Sequence, residues 1–354
     1  MAYRVIQWAT GTVAKEAALG VLGRPDLELV GAWTHSADKD GRDLGDLYGL
    51  GELGVRASAD KEAVLATPAD AVLFMVGRNW VDTPEESFDD LLQILRSGKN
   101  VVNLWWPTLV YPRGLAGDYY ERLEQAAQEG GSTFCTIGMD PGYGTGALGL
   151  SALGLSREVR QVRLHQVMNN AFWEGPGITK FFGFGQLDTA GTPILQPGVT
   201  TSYHETTIHM LADALGVTVD EIVEENCVIY SDVAFDVASG HIPQGTICGL
   251  RYDVKGMVGG EARIVVGHVE RLREHDFAEF DFQGDGYRAE VTGEPCIRLD
   301  MKISALPDFV GDPIAVASAM SAVNAVPRVC AAPAGVTSLL DLSPFPSKNT
   351  TIKG

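Results

Sequence analysis

The chain has 354 residues, 45% of them hydrophobic, which is enough for a large buried core and for two domains of ordinary size. Its 46 acidic and 27 basic residues give a net charge of −19. Such a balance argues against nucleic acid or an anionic membrane surface as the main partner, because both bind basic faces. No leader segment is apparent, and no stretch is apolar over the roughly 18 residues of a membrane span, so we expect a cytoplasmic protein.

Five cysteines are scattered along the chain without a CxxC pair or a histidine at metal-ligand spacing. His204 and His209 are five residues apart, which places them on different faces of a helix. The sequence therefore predicts reduced thiols and no metal site.

Short β-type runs alternate with helical segments through the first 140 residues. Strands are predicted at Arg4–Trp8, Leu27–Trp33, Ala71–Val76, Asn100–Leu104 and Thr133–Ile137, with a weaker candidate at Gly54–Ala57. Helices are predicted at Val13–Leu22, Lys61–Ala66, Pro84–Arg96 and Gly117–Gln128. This alternation predicts an α/β fold whose N-terminal part is a Rossmann-type, doubly wound parallel sheet.

After about residue 150, strand-like runs predominate. They are Val159–Val167, Cys227–Val233, Ile247–Val258, Ala262–Val269 and Cys296–Ile303, with one helical stretch at Thr206–Leu215. Gly259-Gly260 and Gly284-Asp285-Gly286 predict hairpin turns, and therefore an α+β domain with a mainly antiparallel sheet. We expect a dinucleotide-binding domain over 1–145, a substrate and dimerisation domain over 146–310, and a C-terminal helix and tail over 311–354 that pack back on the first domain.

The segment after the first strand resembles a phosphate-binding turn. Ala9-Thr10-Gly11-Thr12-Val13-Ala14 reads as G-x-G-x-x-G with alanine at the first and third positions. The middle glycine, which lets the backbone approach a pyrophosphate, is present as Gly11, and the following helix directs its amides at the anion. Since the turn stands in a strand–turn–helix context, we expect it to bind a nicotinamide dinucleotide through Ala9, Thr10, Gly11, Thr12 and Val13.

The end of the second strand bears on the choice between NADP and NAD. An NAD site usually has an acidic residue there that binds the ribose 2′-hydroxyl, and this strand tip has none. Ser36 and Lys39 are suited to a 2′-phosphate, with His35 as a further donor, which favours NADP. The alternative is an ordinary polar loop in which Asp38 binds the ribose of NAD.

Several segments together resemble the dihydrodipicolinate-reductase-like family, which includes 2,4-diaminopentanoate dehydrogenase and native amine dehydrogenases. They are Val5–Gly11, Gly41-Arg42-Asp43-Leu44-Gly45, Asp140-Pro141-Gly142-Tyr143, Gly183-Phe184-Gly185 and Val323–Arg328. The resemblance implies an NAD(P)-dependent oxidoreductase with a small-molecule substrate, and a homodimer formed through the antiparallel sheet. Dihydrodipicolinate reductase activity itself is not expected, since the paired histidines and the Lys-x-Asp-x-Pro-Ser-Gly-Thr motif are missing.

The resemblance also implies a glutamate just after the fifth strand, shortly before a Tyr-Pro pair, that exchanges protons during amine chemistry. Tyr111-Pro112 form that pair here, and Thr108 stands where the carboxylate is expected. A threonine hydroxyl is not a base near neutral pH without help. The substitution therefore favours carbonyl or alcohol chemistry over amine chemistry.

Ligands of open α/β sheets lie beyond the carboxyl ends of the strands, which places Gly77, Arg78 and the segments 105–108 and 139–143 around the nicotinamide. We consider three catalytic candidates, Thr108, Asp140 and Tyr143. Asp140 is either a substitute for the missing glutamate or a turn aspartate. Tyr143 is either a proton donor or a packing residue. Thr108 is either a ligand of the substrate or a structural residue.

The substrate pocket is predicted to be hydrophobic. Its candidates are Trp105, Trp106, Met139, His165, Phe172 and Trp173, and the alternative for each is packing in the core or at an interface. Three functions remain open: an oxidoreductase of carbonyls or imines, an amine dehydrogenase with a substitute acid, and a non-catalytic sensor that binds the cofactor.

Overall fold

The computed structural model describes residues 2–77 and 84–342. It divides into two compact units: unit 1 contains the chain up to Gly142 and again from Val310, and unit 2 is Tyr143–Phe309. Arg78 lies outside the described residues.

Unit 1 is built on a parallel sheet flanked by helices. Its strands are β1 (Tyr3–Trp8), β2 (Leu27–Trp33), β3 (Ala57–Ser58), β4 (Ala71–Phe74), β5 (Asn100–Asn103), β6 (Thr133–Thr136) and, in the late segment, β15 (Gly335–Val336). Its helices are α1 (Thr12–Leu22), α2 (Leu44–Tyr48), α3 (Lys61–Ala66), α4 (Pro84–Arg96), α5 (Tyr119–Gly130) and α9 (Pro313–Ala331). The predicted Rossmann-type parallel sheet is confirmed.

The strand order is β15-β6-β5-β4-β1-β2-β3, and every described pair in this sheet is parallel. The chain moves from β1 outward to β2 and β3, then returns to β4 on the other side of β1. This reversal makes the carboxyl ends of β1 and β4 the topological switch point, where open α/β sheets bind their ligands.

The sheet of unit 1 has an apolar and strongly aromatic centre. Trp8 stacks on Trp33 with ring centroids 5.0 Å apart and on Phe74 at 6.3 Å. Helix α4 contributes Phe88, Leu91 and other side chains to the same core. Helices cover both faces of a parallel sheet, so its strands are buried on both sides and carry few polar residues.

Helix α9 has the length and composition of a membrane span, so the expectation that no stretch reaches that threshold was wrong. A core helix of a folded domain passes the same test. Here α9 packs against α1: Arg24 Nη1 donates to Asn324 Oδ1 at 2.9 Å, and a Cβ on Gly20 would meet Met320 Sδ at 2.5 Å.

Unit 2 contains a six-stranded sheet in the order β14-β13-β7-β12-β11-β8. Its elements are α6 (Leu148–Leu153), β7 (Glu158–Asn169), α7 (Pro176–Phe182), α8 (Val199–Leu215), β8 (Glu221–Tyr230), β9 (Phe235–Val237), β10 (Gly240–Ile242), β11 (Ile247–Val258), β12 (Glu261–Arg271), β13 (Asp285–Glu294) and β14 (Ile297–Ile303). All pairs are antiparallel except β7–β12, as expected for a mainly antiparallel domain.

The two predicted hairpin turns had different outcomes. Gly259 and Gly260 join β11 to β12 and both have positive φ, as a tight hairpin requires. Asp285 and Gly286 instead begin β13, a strand the sequence did not predict. Gly286 pairs with Lys302 and Val167 inside the sheet, so the glycine marks a close approach of backbones rather than a turn.

Candidate active site

The turn between β1 and α1 presents bare backbone. Gly11 is the N-cap of α1, and the first helical hydrogen bond runs from Lys15 N to Gly11 O at 3.0 Å. The amides of Thr12, Val13 and Ala14 come before that bond, so they have no acceptor within the helix. The first turn of α1 contains no acidic residue. A helix start of this kind binds anions through its amides and its dipole.

The surroundings of Gly11 leave room for a dinucleotide. It lines a cavity of about 350 Å³, and a Cβ built on it would meet nothing within 4 Å. The missing side chain therefore leaves open space beside the helix start, which is the space a pyrophosphate needs for close approach to the backbone.

The cavity lies at the switch point of the sheet. Besides the turn it is lined by residues that follow the other central strands, namely 75–77 after β4, 104 and 107 after β5, and 136–141 at and after β6. Gly77, Met139 and Asp140 are therefore cavity-lining residues, as is Ser318 of α9. Sequence reasoning missed Ser318, because nothing in its local pattern connects it with a turn 300 residues earlier.

Polar residues cluster where β2 ends. Lys39 Nζ lies 3.3 Å from both the carbonyl oxygen and Oγ1 of Thr10, and Thr10 Oγ1 lies 3.1 Å from Thr34 Oγ1. The Ser36 amide donates to Thr34 Oγ1 at 3.3 Å, and His35 is exposed. The structure thus brings Lys39 and Ser36 to the phosphate turn, with Thr34 between them.

Asp140 is an acidic residue among those that line the cavity. It lies in extended backbone just after β6, between Met139, which is buried, and Pro141, which also lines the cavity. The loop after β5 is tied to β6 because Asn103 donates to Thr136 Oγ1 at 2.8 Å and accepts from the Trp105 amide at 2.9 Å.

Thr108 stands one residue beyond the cavity-lining Pro107. It is buried, and its Oγ1 has no hydrogen-bond partner among the described residues. Tyr143 begins unit 2 and is 37% exposed.

The two adjacent tryptophans of unit 1 pack into its core. Trp105 is buried and meets Phe74 edge to face at 5.9 Å, whereas Trp106 is half-buried and meets Tyr119 in the same way at 4.9 Å. Neither is among the residues lining the cavity described above, whose wall after β5 is formed by Leu104 and Pro107.

His165 of unit 2 is held in a buried ion-pair network. Its Nε2 lies 2.7 Å from Asp253 Oδ1, and Asp253 also pairs with Arg251 at 2.6 Å and Arg163 at 3.2 Å. Burial lowers the pKa of His165, although the hydrogen bond to Asp253 opposes the shift. Burial by itself would raise the pKa of Asp253, but the hydrogen bonds from His165 and Arg251 outweigh it and lower that pKa to about 2.

Phe172 and Trp173 follow β7 at a surface of unit 2. Phe172 is 81% exposed and Trp173 is 40% exposed. Two adjacent aromatic side chains are therefore accessible at this surface.

Unit 2 also holds a buried cluster that the sequence did not reveal. His204 of α8 and His268 of β12 have ring centroids 5.0 Å apart, and Tyr252 stacks on His268 at 4.9 Å. Glu270 Oε1 lies 2.9 Å from His268 Nδ1. Tyr252 and His268 face each other across the β11–β12 hairpin, whereas His204 comes from helix α8, which no spacing rule connects with that hairpin.

The parallel sheet and the glycine turn at its switch point, beside the cavity that Asp140 also lines, define the class of Rossmann-type NAD(P)-dependent oxidoreductases. Comparison with known proteins agrees. An amine dehydrogenase of Streptomyces virginiae is 31% identical over 307 residues, covering 85% of this chain and 84% of the relative. A 4-hydroxy-tetrahydrodipicolinate reductase of Synechococcus elongatus is 25% identical over 196 residues, covering 55% of this chain and 68% of the reductase.

The 2,4-diaminopentanoate dehydrogenase C-terminal domain family matches residues 188–351. The solved structure of an amine dehydrogenase from Mycobacterium smegmatis superposes with a TM-score of 0.75 over 98% of both chains, at 22% identity, and so shares the fold. The chain therefore belongs to the dihydrodipicolinate-reductase-like family that includes the amine dehydrogenases, as its motifs predicted, and is an NAD(P)-dependent dehydrogenase or reductase.

Proposed function

We propose that the protein is an NADP-dependent amine dehydrogenase, which interconverts a hydrophobic ketone or aldehyde plus ammonia with a primary amine. The observation that carries the proposal is the position of Asp140, an acidic residue that lines the same cavity as the Gly11 turn. The relative from Streptomyces virginiae, of which this chain covers 84%, is itself called an amine dehydrogenase.

Asp140 is assigned the proton transfers. Condensing ammonia with a carbonyl requires a group that takes a proton from the incoming ammonium and gives one to the departing water. The family resemblance places Thr108 where a glutamate is expected, and Thr108 has no ionisable side chain, so we assign that exchange to Asp140, the acidic residue that lines the cavity. Thr108 Oγ1, which is buried one residue beyond the cavity-lining Pro107, is assigned to hydrogen bonding with the substrate.

A nicotinamide held there would supply a hydride to the substrate carbon during reduction, or accept one during amine oxidation. The first-turn amides of α1 bind the pyrophosphate, and Gly11 leaves room for it. The apolar residues of the cavity, such as Met139 and Leu104, exclude water from the reacting groups.

We assign NADP as the cofactor because the positively charged side chain of Lys39 lies at the phosphate turn. The Lys39 ammonium, the Thr10 hydroxyl and the Ser36 amide form one hydrogen-bonded group with Thr34, and His35 is exposed beside them. A 2′-phosphate carries up to two negative charges and is bound by such donors, whereas the neutral ribose hydroxyl of NAD has no need of a cation.

A second candidate function is the reduction of carbonyls to alcohols. Threonine at position 108 favours it, since this step needs a hydrogen-bond donor for the substrate oxygen and no carboxylate that exchanges protons with ammonia.

Ammonia dependence separates the two candidates. Purified protein is supplied with NADPH and a panel of hydrophobic ketones and aldehydes, with and without ammonium, and NADPH oxidation is followed by its absorbance while products are identified by mass. We expect oxidation only with ammonium, and an amine as product. Equal oxidation without ammonium and an alcohol product would establish carbonyl reduction instead. NADPH binding without turnover of any compound would favour a sensor.

We further assign a cytoplasmic location and a homodimeric state. The exposed aromatic side chains of Phe172 and Trp173 support a covered surface on unit 2, either by substrate or by a second subunit. Sedimentation of the purified protein across a concentration series tests the dimer, with a monomer at every concentration as the contradicting result.

A further inference from the structure

Ala9 adopts a backbone conformation that disfavours a side chain. Its φ is +114°, in the region that glycine occupies freely and other residues rarely adopt. Ala9 stands at the first glycine position of the phosphate-binding motif, where the chain makes its tight turn. A residue kept in such a conformation at a functional site must be held there by its surroundings.

Two hydrogen bonds hold Ala9, one on each side of its Cα. Its amide donates to the carbonyl oxygen of Trp33 at 3.1 Å, and its carbonyl accepts from Gln7 Nε2 at 2.8 Å. The first bond joins β1 to β2 and is a feature of the sheet. The second comes from a side chain two residues earlier, which is buried at 1% exposure.

Gln7 is itself oriented by Tyr48. The second proton of Nε2 points to the Tyr48 hydroxyl, with the heavy atoms 2.5 Å apart. Both protons of the Gln7 amide therefore take part in hydrogen bonds. Because the Ala9 carbonyl can only accept, the Gln7 side chain must turn its nitrogen, and not its oxygen, toward Ala9. Burial raises the pKa of Tyr48 to about 12, although the bond from Gln7 opposes the shift, so the hydroxyl stays neutral.

Tyr48 follows the Gly41–Gly45 motif and is the last residue of α2. The proposed reaction gives that motif no role. Asp43 caps α2 by accepting from the Gly45 amide at 2.8 Å, and it also accepts from the Leu53 amide at 2.8 Å. A Cβ on Gly45 would lie 1.6 Å from the Gly51 carbonyl oxygen, so the loop closes only over a glycine. This compact loop delivers Tyr48, at the end of α2, to Gln7.

We propose that the Tyr48–Gln7 pair is a positioning device for the cofactor: it clamps the Ala9 carbonyl, keeps the turn in its glycine-like conformation despite the alanine side chain, and so aims the first amides of α1 at the pyrophosphate. The proposal rests on the assignment of the β1–α1 turn to the dinucleotide. It makes Gln7 and Tyr48 positioning residues, and it gives the Gly41–Gly45 motif a role in cofactor binding.

A double-mutant cycle tests the clamp. The dissociation constant of NADPH is measured by calorimetry for the wild type, Tyr48→Phe, Ala9→Gly and the double variant. Tyr48→Phe removes the hydroxyl, and we expect it to weaken binding about tenfold, the value of one hydrogen bond in a buried network. Ala9→Gly is expected to bind at least as tightly as the wild type, because glycine adopts the turn without the clamp. The double variant should then lose less than about threefold relative to Ala9→Gly.

Two further variants keep the test decisive. Gln7→Met removes both donors at similar volume and should reproduce the loss seen in Tyr48→Phe and its rescue by Ala9→Gly, even if Tyr48→Phe itself folds poorly. Tyr230→Phe changes an exposed tyrosine of unit 2 and should leave NADPH binding unchanged. Chemical denaturation of each protein without cofactor reports whether a loss of binding merely follows a loss of folding.

An equal loss from Tyr48→Phe in the alanine and glycine backgrounds would overturn the clamp, because the two sites would then be independent. An unchanged dissociation constant in Tyr48→Phe would overturn it as well. If the wild type itself binds neither NADPH nor NADH, the assignment of the turn fails before the clamp is tested, so the two failures are distinguishable.

Discussion

Two segments line the same cavity and act by different means. The β1–α1 turn presents backbone amides and the bare Cα of Gly11, whereas the segment after β6 contributes the acidic residue Asp140. A backbone site is specified by a few consecutive residues, because the glycine and the helix start are local features. A side-chain site depends on which neighbours the fold brings beside it. The first kind can therefore be recognised in the sequence, whereas for the second the sequence supplies only candidates such as Asp140, among which the structure decides.

The largest expected effect is on kcat, from a substitution of Asp140. Asp140→Asn keeps the size of the side chain and removes its basicity, so kcat for amine formation should fall by about 100- to 10,000-fold, the usual contribution of a general acid–base group. The dissociation constant of NADPH should stay within about twofold, since the turn is untouched. Asp118→Asn, an exposed acid at the start of α5, is the matched control. A normal kcat in Asp140→Asn would remove Asp140 from the chemistry.

A substitution in the β1–α1 turn should instead weaken the binding of NADPH. Gly11→Val fills the open space beside the helix start and displaces the pyrophosphate from two amides, which costs about 3 kcal/mol or roughly 100-fold in NADPH affinity. Calorimetric titration measures the loss. Gly177→Val, at a helical glycine of unit 2 whose added Cβ also meets nothing within 4 Å, controls for the substitution itself. Undiminished NADPH binding by Gly11→Val would mean that the phosphates lie elsewhere.

Cofactor choice is a smaller effect at the edge of the turn. Lys39→Ala removes one charge-assisted contact, so the ratio of NADPH to NADH affinity should fall by about tenfold. Separate titrations with the two cofactors give this ratio. Arg96→Ala removes one positive charge from an ion pair of α4 and should leave the ratio unchanged. A wild type that prefers NADH, or a Lys39→Ala ratio equal to the wild-type ratio, would contradict the NADP assignment.

The smallest effect on activity is expected from the buried charges of unit 2. The pKa of Asp253 is lower in the folded chain, about 2, than its ordinary 3.8. Ionised Asp253 therefore stabilises the fold above about pH 4, and this stabilisation is lost as the pH falls through about 2. Asp253→Asn should flatten the dependence of the free energy of unfolding on pH in that window and leave kcat at neutral pH within about twofold.

Chemical denaturation across the pH series measures the slope, with the exposed Asp188→Asn as control. A large change in kcat at neutral pH would instead connect this network, and His165 with it, to the reaction.

Much of unit 1 was predictable, because its helices and strands alternate at the spacing of a parallel sheet. Strand β13 was missed since Asp285 and Gly286 at its start are typical of a turn, and only pairing with β7 and β14 makes them part of a strand. For the tryptophans after β5 the sequence left two alternatives, a pocket wall or packing, and the structure shows that the Trp105 ring packs against Phe74. Adjacent residues in a loop differ in direction, and no sequence pattern says which of them faces a cavity.

The sequence by itself determined the alternation of strands and helices, the glycine turn and the family, because each depends on residues close together in the chain or on motifs in order. Only the tertiary structure decided that Asp140 and Ser318 line the cavity of Gly11, that Lys39 reaches Thr10, and that Tyr48 holds Gln7 against Ala9. These contacts join residues tens to hundreds of positions apart. Their geometry follows from how the sheet closes and the helices pack, which no local pattern contains.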